Sequence, residues 1–220
     1  MLALFQLLGP YQLLKRNRII DIYRCLCSSD RKKTVAVAMS GGIDSAVSAY
    51  ILSQPPYNYS LIGVYMRNWD STDEFAAKEV CPQDIDRRDM VQICQHLQIP
   101  HHEVEFVKEY WNQVFTPFLD AYKSGESTPN PDIMCNRFVK FNAFREYCLT
   151  HLGVDSIATG HYVTIDTKNS NQDDNSSNYF PILRRGIDPM KDQSYFLCMT
   201  PVSSLILLTI FFLYLFHRLY

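Results

Sequence analysis

The sequence lacks the most familiar nucleotide signature. No glycine in it is followed by Lys-Ser or Lys-Thr, so a Walker A loop is excluded. Nor does it hold a pair of CxxC motifs, which removes the zinc modules built on that spacing, and no protein-held metal cluster is expected. The seven cysteines, Cys25, Cys27, Cys81, Cys94, Cys135, Cys148 and Cys198, are odd in number and irregularly spaced. That pattern suits reduced thiols inside a cell better than a disulfide framework. Basic charge is short where broad nucleic-acid binding would need it. The formal net charge is −2; residues 1–33 hold seven Lys/Arg against two Asp, which leaves 14 basic and 21 acidic residues in the rest, a net of −7. An acidic body argues against unspecific binding along a nucleic-acid backbone, so any nucleic acid must meet a local basic patch or a part not present here. Finally, the apolar stretch from Leu205 to Phe216 falls short of the roughly 20 residues that span a bilayer. No stable membrane association is expected.

What is present is an ordinary globular composition, 47% apolar and 20% charged over 220 residues, enough for one core domain or a little more. Residues 1–33 read as an address: Leu2, Leu4, Phe5, Leu7 and Leu8 lead into Lys15, Arg16, Arg18 and Arg24. A secretory signal normally places the charge before the apolar part; the reverse order here suits a mitochondrial presequence and a mitochondrial protein. The chain then turns on one stretch, Ser40-Gly41-Gly42-Ile43-Asp44-Ser45. Before it lies Thr34-Val35-Ala36-Val37-Ala38-Met39, short and β-branched, a buried strand; after it Val47, Tyr50 and Ile51 recur at helical spacing up to Pro55-Pro56. Adjacent glycines let a backbone approach a ligand with no Cβ in the way, and the free N–H groups of a helix start face an anion. Ser40 and Ser45 add hydroxyls, and Asp44 makes sense beside a phosphate when Mg²⁺ stands between them.

The remaining stretches repeat the strand-then-helix alternation. Ser60 to Met66 is a second buried strand running into Arg67-Asn68-Trp69-Asp70, which puts Met66 and Trp69 at a carboxyl end, to border a base or to close the core. Asp84 to Leu97 is a helix with Met90, Ile93, Cys94 and Leu97 on one face, and Glu103 to Val107 a third strand. Lys108 to Tyr122 is amphipathic; Trp111, Val114, Phe115, Phe118, Leu119 and Tyr122 form a stripe expected in the core, with a kink at Pro117. Thr128-Pro129-Asn130-Pro131-Asp132-Ile133-Met134-Cys135-Asn136 reads as a rigid extended loop before a helix from Arg137 to Leu152. Asn130 and Asp132 suit a base edge, and Cys135 at a helix start is expected to have a lowered thiol pKa, whereas Cys94 and Cys148 read as inert core. Asp155 to His161 is a fourth strand ending in Gly160-His161, and Tyr162–Ile165 is expected to pair with Phe180–Arg185 as a hairpin. The fold expected is α/β, a Rossmann-like parallel sheet with helices on both faces.

These stretches together resemble the tRNA-specific 2-thiouridylases, in particular their mitochondrial branch. The matching strings, in order, are Met39–Ser45, Tyr65–Trp69, Glu109–Asn112, Thr128–Asn136, Ala158–Tyr162 and Lys191–Leu197, within about residues 34–200. The glycine loop alone would give only the ATP pyrophosphatase superfamily; the Asn-Pro-Asp…Cys-Asn string with Lys-Asp-Gln-Ser-Tyr-Phe is far more specific. The resemblance implies an adenine nucleotide alpha-hydrolase-like fold, with the strand from Thr34 near the centre of its sheet. It also implies ATP, with Mg²⁺, on Ala38, Met39, Ser40, Gly41, Gly42, Ile43, Asp44 and Ser45, with Met66 and Gly160 near the adenosine. The wobble uridine of a tRNA is flipped out onto Asn130, Pro131 and Asp132; His161, Lys191, Asp192 and Gln193 match tRNA-contacting positions. The 2-carbonyl oxygen is adenylated, and sulfur delivered as a persulfide by a donor protein replaces it, with Cys135 and Asp44 as the catalytic pair. The likeness fades after Met199-Thr200. Family members continue through a second, persulfide-bearing cysteine, with which Cys198 is not equated, and into C-terminal domains. Residues 201–220 are expected to be an aberrant apolar tail in their place, from a misread exon junction or a shortened splice form. The alternative is then a truncated chain that binds ATP or tRNA without sulfurtransferase activity.

Overall fold

The chain divides into two units, Met1–Lys32 and Lys33–Tyr220. The computed structural model describes residues 32–70, 81–125, 127–169, 179–206 and 208–210. The expected presequence therefore lies outside the described residues, as do most of the polar loop after 169 and the tail from 211. In the second unit, Thr34–Ala38 forms strand β1, and its middle residues Val35, Ala36 and Val37 are wholly buried. A strand covered on both faces needs a continuous apolar run rather than an alternating one, and that is what the sequence holds. Beside it lie Ser60–Arg67 (β2) and His101–Glu105 (β3) on one side, and Ser156–Thr159 (β4) on the other. All these pairings are parallel, with Val35 opposite Leu61 and Ser156, and Gly63 opposite His101. Thr164–Asn169 (β5) and Tyr179–Arg184 (β6) form the expected antiparallel hairpin. Leu208–Ile210 (β7) pairs parallel with β4 and gives the order β3-β2-β1-β4-β7, with β1 in the middle.

The period-two alternation of β1 divides the core. Val35, Val37 and Met39 meet Ala49 and Leu52 of helix α1 (Ile43–Ser53) and Met90 and Cys94 of helix α2 (Pro82–Leu97). Ala36 and Ala38 point the other way, toward Val114, Val139, Phe141 and Phe144, which belong to the two long helices of the opposite layer. Helices thus cover both faces, as expected. The small alanines lie on the layer that carries the buried Phe106, Phe141 and Phe144.

Both of those long helices contain a wide, π-type segment. The first, α3, runs through Val107–Tyr110, the π segment Trp111–Phe115 and Thr116–Ser124, and ends at Gly125. The wide turn stands immediately before Pro117, and the Thr116 N–H reaches back to the Trp111 carbonyl. Pro117 sits in the first turn of the final segment, where its missing N–H is harmless, so the chain stays helical through it. The second, α4, runs through Pro131–Met134, the π segment Cys135–Ala143 and Phe144–His151. It begins six residues earlier than expected. The signal is Asn130, whose Oδ1 accepts from the N–H groups of Asp132 (3.0 Å) and Ile133 (3.3 Å), with Pro131 in the first helical position. The third strand also starts earlier, at His101; Phe106 and Val107 already belong to the turn into α3, where Phe106 is buried.

The stretch after residue 200 enters this domain. Val202–Ile206 is a short helix, α5, in which the buried Ser204 hydroxyl donates to the Phe141 carbonyl at 2.8 Å. Strand β7 follows. No helix among the described residues is long and apolar enough to cross a membrane. Because α4 hangs on one side-chain cap, Asn130→Ala is expected to lower unfolding free energy by about 1 kcal/mol. Asn130→Asp should restore most of it, since its carboxylate accepts the same two bonds; equal stability of the Ala variant in denaturant titrations would show that the cap is idle.

Candidate active site

The strand-to-helix loop leaves β1 with the Met39 N–H still bonded to the Val64 carbonyl, 2.9 Å. Gly41 then takes φ +79°, in the left-handed region that suits glycine, and a Cβ on it would collide with the Asp86 carbonyl oxygen of α2. That glycine is therefore required by its neighbouring helix and its own backbone; the open approach for a ligand is at Gly42, which is exposed and caps α1 without a side-chain bond. Ser45 is buried, and its hydroxyl donates to the Gly42 carbonyl at 2.9 Å while accepting from the Ser40 N–H at 3.2 Å. The Ser40 hydroxyl accepts from the Gly42 N–H at 3.3 Å and lies 3.3 Å from the Ser45 hydroxyl. A hydroxyl has one proton, and Ser45 gives its own to Gly42, so Ser40 supplies the other bond. The two serines brace the loop rather than stand ready for an anion. What faces outward is the first turn of α1, Ile43 and Asp44, where N–H groups lack intrahelical acceptors.

The carboxyl end of β4 closes on this loop. A Cβ at Gly160 would fall 2.8 Å from the Ser45 nitrogen and 2.9 Å from the Asp44 carbonyl carbon, so only glycine permits the approach. The next residue, His161, bonds through Nδ1 to the Thr159 hydroxyl at 2.9 Å and packs its ring on Phe141 of α4 at 5.3 Å. Burial, and then the nearby positive charge of Lys140, push its pKa down to about 3, so it is neutral at physiological pH. Tyr162 is held by Gln193 on both sides: its N–H donates to Oε1 of Gln193 (2.9 Å), and its carbonyl accepts from the Gln193 N–H (3.0 Å). Asp192 takes the N–H of Gly186 (2.7 Å) and both the N–H and hydroxyl of Ser194. Burial alone would raise its carboxyl pKa, but these hydrogen bonds hold it below the usual range. Asp192 and Gln193 are thus joined to the backbone of this turn, while Lys191 next to them is exposed.

Cys135 lies at the start of the π segment, one turn inside α4 rather than at its N-terminus. It is 8% exposed and belongs to the core cluster with Ala38, Phe141 and Leu197. The expected lowering of its pKa is therefore reversed: burial raises the thiol, Lys140 opposes this, and Asp132 adds to it. Tyr110 of α3 borders the same place, its phenol raised by burial and by the charges of Cys135 and Asp132. Cys94 and Cys148 are fully buried as expected, and burial pushes the Cys148 thiol up to about 12. Met66 packs against the core on the α3/α4 side, and Trp69 joins an aromatic group with Trp111 and Phe115. Asn130 and Pro131 form the start of α4, with Asp132 exposed beside them.

Residue patterns had not singled out Asn136, Lys140 or Tyr110 for the site. Asn136 is 3% exposed; its amide donates to the Phe196 carbonyl at 2.9 Å, while its Oδ1 has no partner among the described residues. Its place directly after Cys135 was the one available signal. No group of three or more His, Cys, Asp or Glu among the described residues is arranged to hold a metal.

Two outcomes follow from these charges. Peptide-mapped alkylation of Cys135 at neutral pH is expected to be slow, slower still in Lys140→Met and faster in Asp132→Asn, because the first removes a charge that favours thiolate and the second one that opposes it; the reverse order would refute this electrostatic account. For His161, the folded-state pKa lies below the unfolded value of about 6.5. The unfolded chain then binds the extra proton, and stability falls as pH drops below about 6.5, by up to about 1.4 kcal/mol per pH unit. His161→Gln should flatten that decline in melting temperature between about pH 6.5 and 4.5.

Comparison with known proteins bears on the same residues. A protein-family model, the tRNA methyl transferase HUP domain, matches residues 33–213. The tRNA-specific 2-thiouridylase MnmA of Lysinibacillus sphaericus is 46% identical over 163 residues, covering 74% of this chain and 40% of that protein. Those of Mycoplasmopsis synoviae and Staphylococcus aureus are 45% and 44% identical, covering 76% and 77% of this chain and 42% and 41% of theirs. The chain thus spans about two fifths of the length of the curated relatives it matches. A solved U34-tRNA thiolase, NcsA from Methanococcus maripaludis, aligns with a TM-score of 0.38 at 20% identity over 59% of this chain and 38% of its own, too distant to add to the fold described above. With its parallel sheet, its glycine loop and a match to the family model over nearly the whole described domain, the chain belongs to the tRNA methyl transferase HUP domain family.

Proposed function

We propose that this chain is the nucleotide-binding, catalytic part of a mitochondrial tRNA 2-thiouridylase. The observation that carries the proposal is a continuous series of contacts at one end of the sheet. It runs from Ser45 to Gly160, through His161 to Phe141, and along α4 to Cys135. A ligand held at the glycine loop would lie by the Gly160-His161 turn, which packs on α4, the helix that carries Cys135.

The loop fits the phosphates of ATP. Gly42 is open, the first turn of α1 presents N–H groups, and the serine bonds hold the backbone in shape before the ligand arrives. Asp44, the one carboxylate in the loop, is exposed at the same turn. It suits a Mg²⁺ ion held chiefly by phosphate oxygens and water, the usual manner for that ion. ATP supplies the activation, converting the uridine 2-oxygen into a departing AMP as pyrophosphate is released. Around that chemistry the chain's own groups have separate tasks. Asn130 and Asp132 border the base, and the unpartnered Oδ1 of Asn136 offers an acceptor beside Cys135. Neutral His161 shapes the wall by packing. The outer sulfur of a donor protein's persulfide displaces AMP from C2, and Cys135 then serves as the nucleophile: its thiolate attacks the inner sulfur, the S–S bond to the uridine breaks, and 2-thiouridine leaves with a disulfide between Cys135 and the donor. The raised pKa of Cys135 keeps it a thiol until substrate is bound, which protects it from premature oxidation.

The test is sulfur incorporation into tRNA uridine, followed by nucleoside mass spectrometry, together with ATP binding. Cys135→Ser is expected to lose thiolation by at least about a hundredfold while ATP binds unchanged. Gly160→Ala should instead weaken ATP binding, since its Cβ would press on the Ser45 nitrogen 2.8 Å away. Thiolation that persists in Cys135→Ser would overturn the assignment. ATP binding without tRNA-dependent pyrophosphate release would leave a nucleotide-binding chain alone.

A further inference from the structure

The apolar stripe of α3 is not the core element its spacing suggests. Val114 is completely buried, but Trp111 is 48% exposed and Tyr122 72% exposed. The aromatic rings form a ladder along the surface. Trp69, just past the carboxyl end of β2, stacks on Trp111 at 5.7 Å and 26°, and meets Phe115 edge-on at 4.9 Å. Phe115 stacks on Phe118, and Phe118 leans on Tyr122. The inner end is joined to the site: Tyr110 packs edge-on against Trp69 at 6.0 Å, and its phenol feels the charges of Cys135 and Asp132. The π segment that carries Trp111 packs against the one that carries Cys135.

We propose that this ladder is a stacking platform for the unpaired RNA bases flanking the one presented to Cys135. The proposal rests on the thiouridylase reading and deepens it. A base drawn out of its strand leaves its neighbours without a stacking partner, at a cost of a few kcal/mol. Flat aromatic rings beside the pocket offset that loss, and they do so with little regard to base identity because every base has a π face. Tryptophan is common in protein contacts as well; what suits unpaired bases here is a series of rings one after another, leading from Tyr122 to Trp69 and Tyr110. Arg67, two residues before Trp69 and exposed, makes long pairs among the described residues to Asp70 (3.7 Å) and Glu105 (3.5 Å), which a phosphate could displace.

The sequence contains two tryptophans, and both are in the ladder. Intrinsic emission therefore reports this surface without a label. An RNA stem-loop with an unpaired wobble uridine is titrated into the full chain, with binding followed independently by anisotropy of an end-labelled RNA. Saturable quenching is expected with the stem-loop and not with a blunt duplex. Trp111→Ala should weaken stem-loop binding roughly 10- to 100-fold and leave ATP binding intact, while Trp111→Tyr retains most of the affinity. Tyrosine keeps the ring in case the alanine variant folds poorly. RNA binding with unchanged emission, or with unchanged affinity in both variants, overturns the platform alone. Absence of any RNA binding overturns the thiouridylase reading and the platform together. Emission that responds to a sulfur-donor protein and not to RNA overturns the platform in favour of a protein dock.

Discussion

The two-sided burial of β1 is the constraint on which the rest depends. Its side chains alternate between two helical layers, so neither layer can shift without opening the other's core. Val35, Val37 and Met39 hold α1 and α2; Ala36 and Ala38 admit α3 and α4. Because the strand is central and parallel to its neighbours, the carboxyl ends of β1, β2 and β4 emerge on one side. The glycine loop, the Trp69 turn and the Gly160-His161 turn all gather there as a consequence, which is where ligands bind in open α/β sheets.

Function on such a platform depends on polar groups whose partners are already assigned. Ser40 and Ser45 bond to their own loop, Asp192 and Gln193 to the turn around Tyr162, and Asn130 to the start of α4. Several residues that a motif would place against a ligand therefore act first by holding backbone in position. A loop set before the ligand arrives binds it without a further loss of conformational entropy. Cys135 is the counterexample, since its surroundings oppose the reactive form. Burial keeps it a thiol, and Lys140 against Asp132 sets the balance.

The π segments in α3 and α4 connect scaffold and site. Each adds a wide turn to a helix, and with it a local change in which side chains face inward. In α3 the wide turn precedes Pro117 and accompanies the outward exposure of Trp111. In α4 it begins at Cys135 itself. The segments that spoil a regular helical stripe thus carry Trp111 in one helix and Cys135 in the other.

The central place of β1 was expected from the family resemblance, but the alternation of strands and helices, the hairpin and the inert burial of Cys94 and Cys148 were legible in local pattern. So was the strand-to-helix glycine loop. These features follow from periodicity and from short-range turn chemistry, which neighbouring residues determine by themselves. The start of α4 at Asn130 was also written locally, as a cap followed by proline, but the two prolines of Thr128–Asp132 pointed toward an extended loop. What the sequence by itself determined was therefore the order of elements and the identity of the residues in the loops that follow the strands. Only the tertiary structure decided the state of those residues. The raised thiol of Cys135, the neutral His161, the requirement for glycine at Gly41 and Gly160, and the exposed face of Trp111 each depend on atoms far away in the chain. Burial and close approach are properties of packing between elements, and no spacing within one element encodes them.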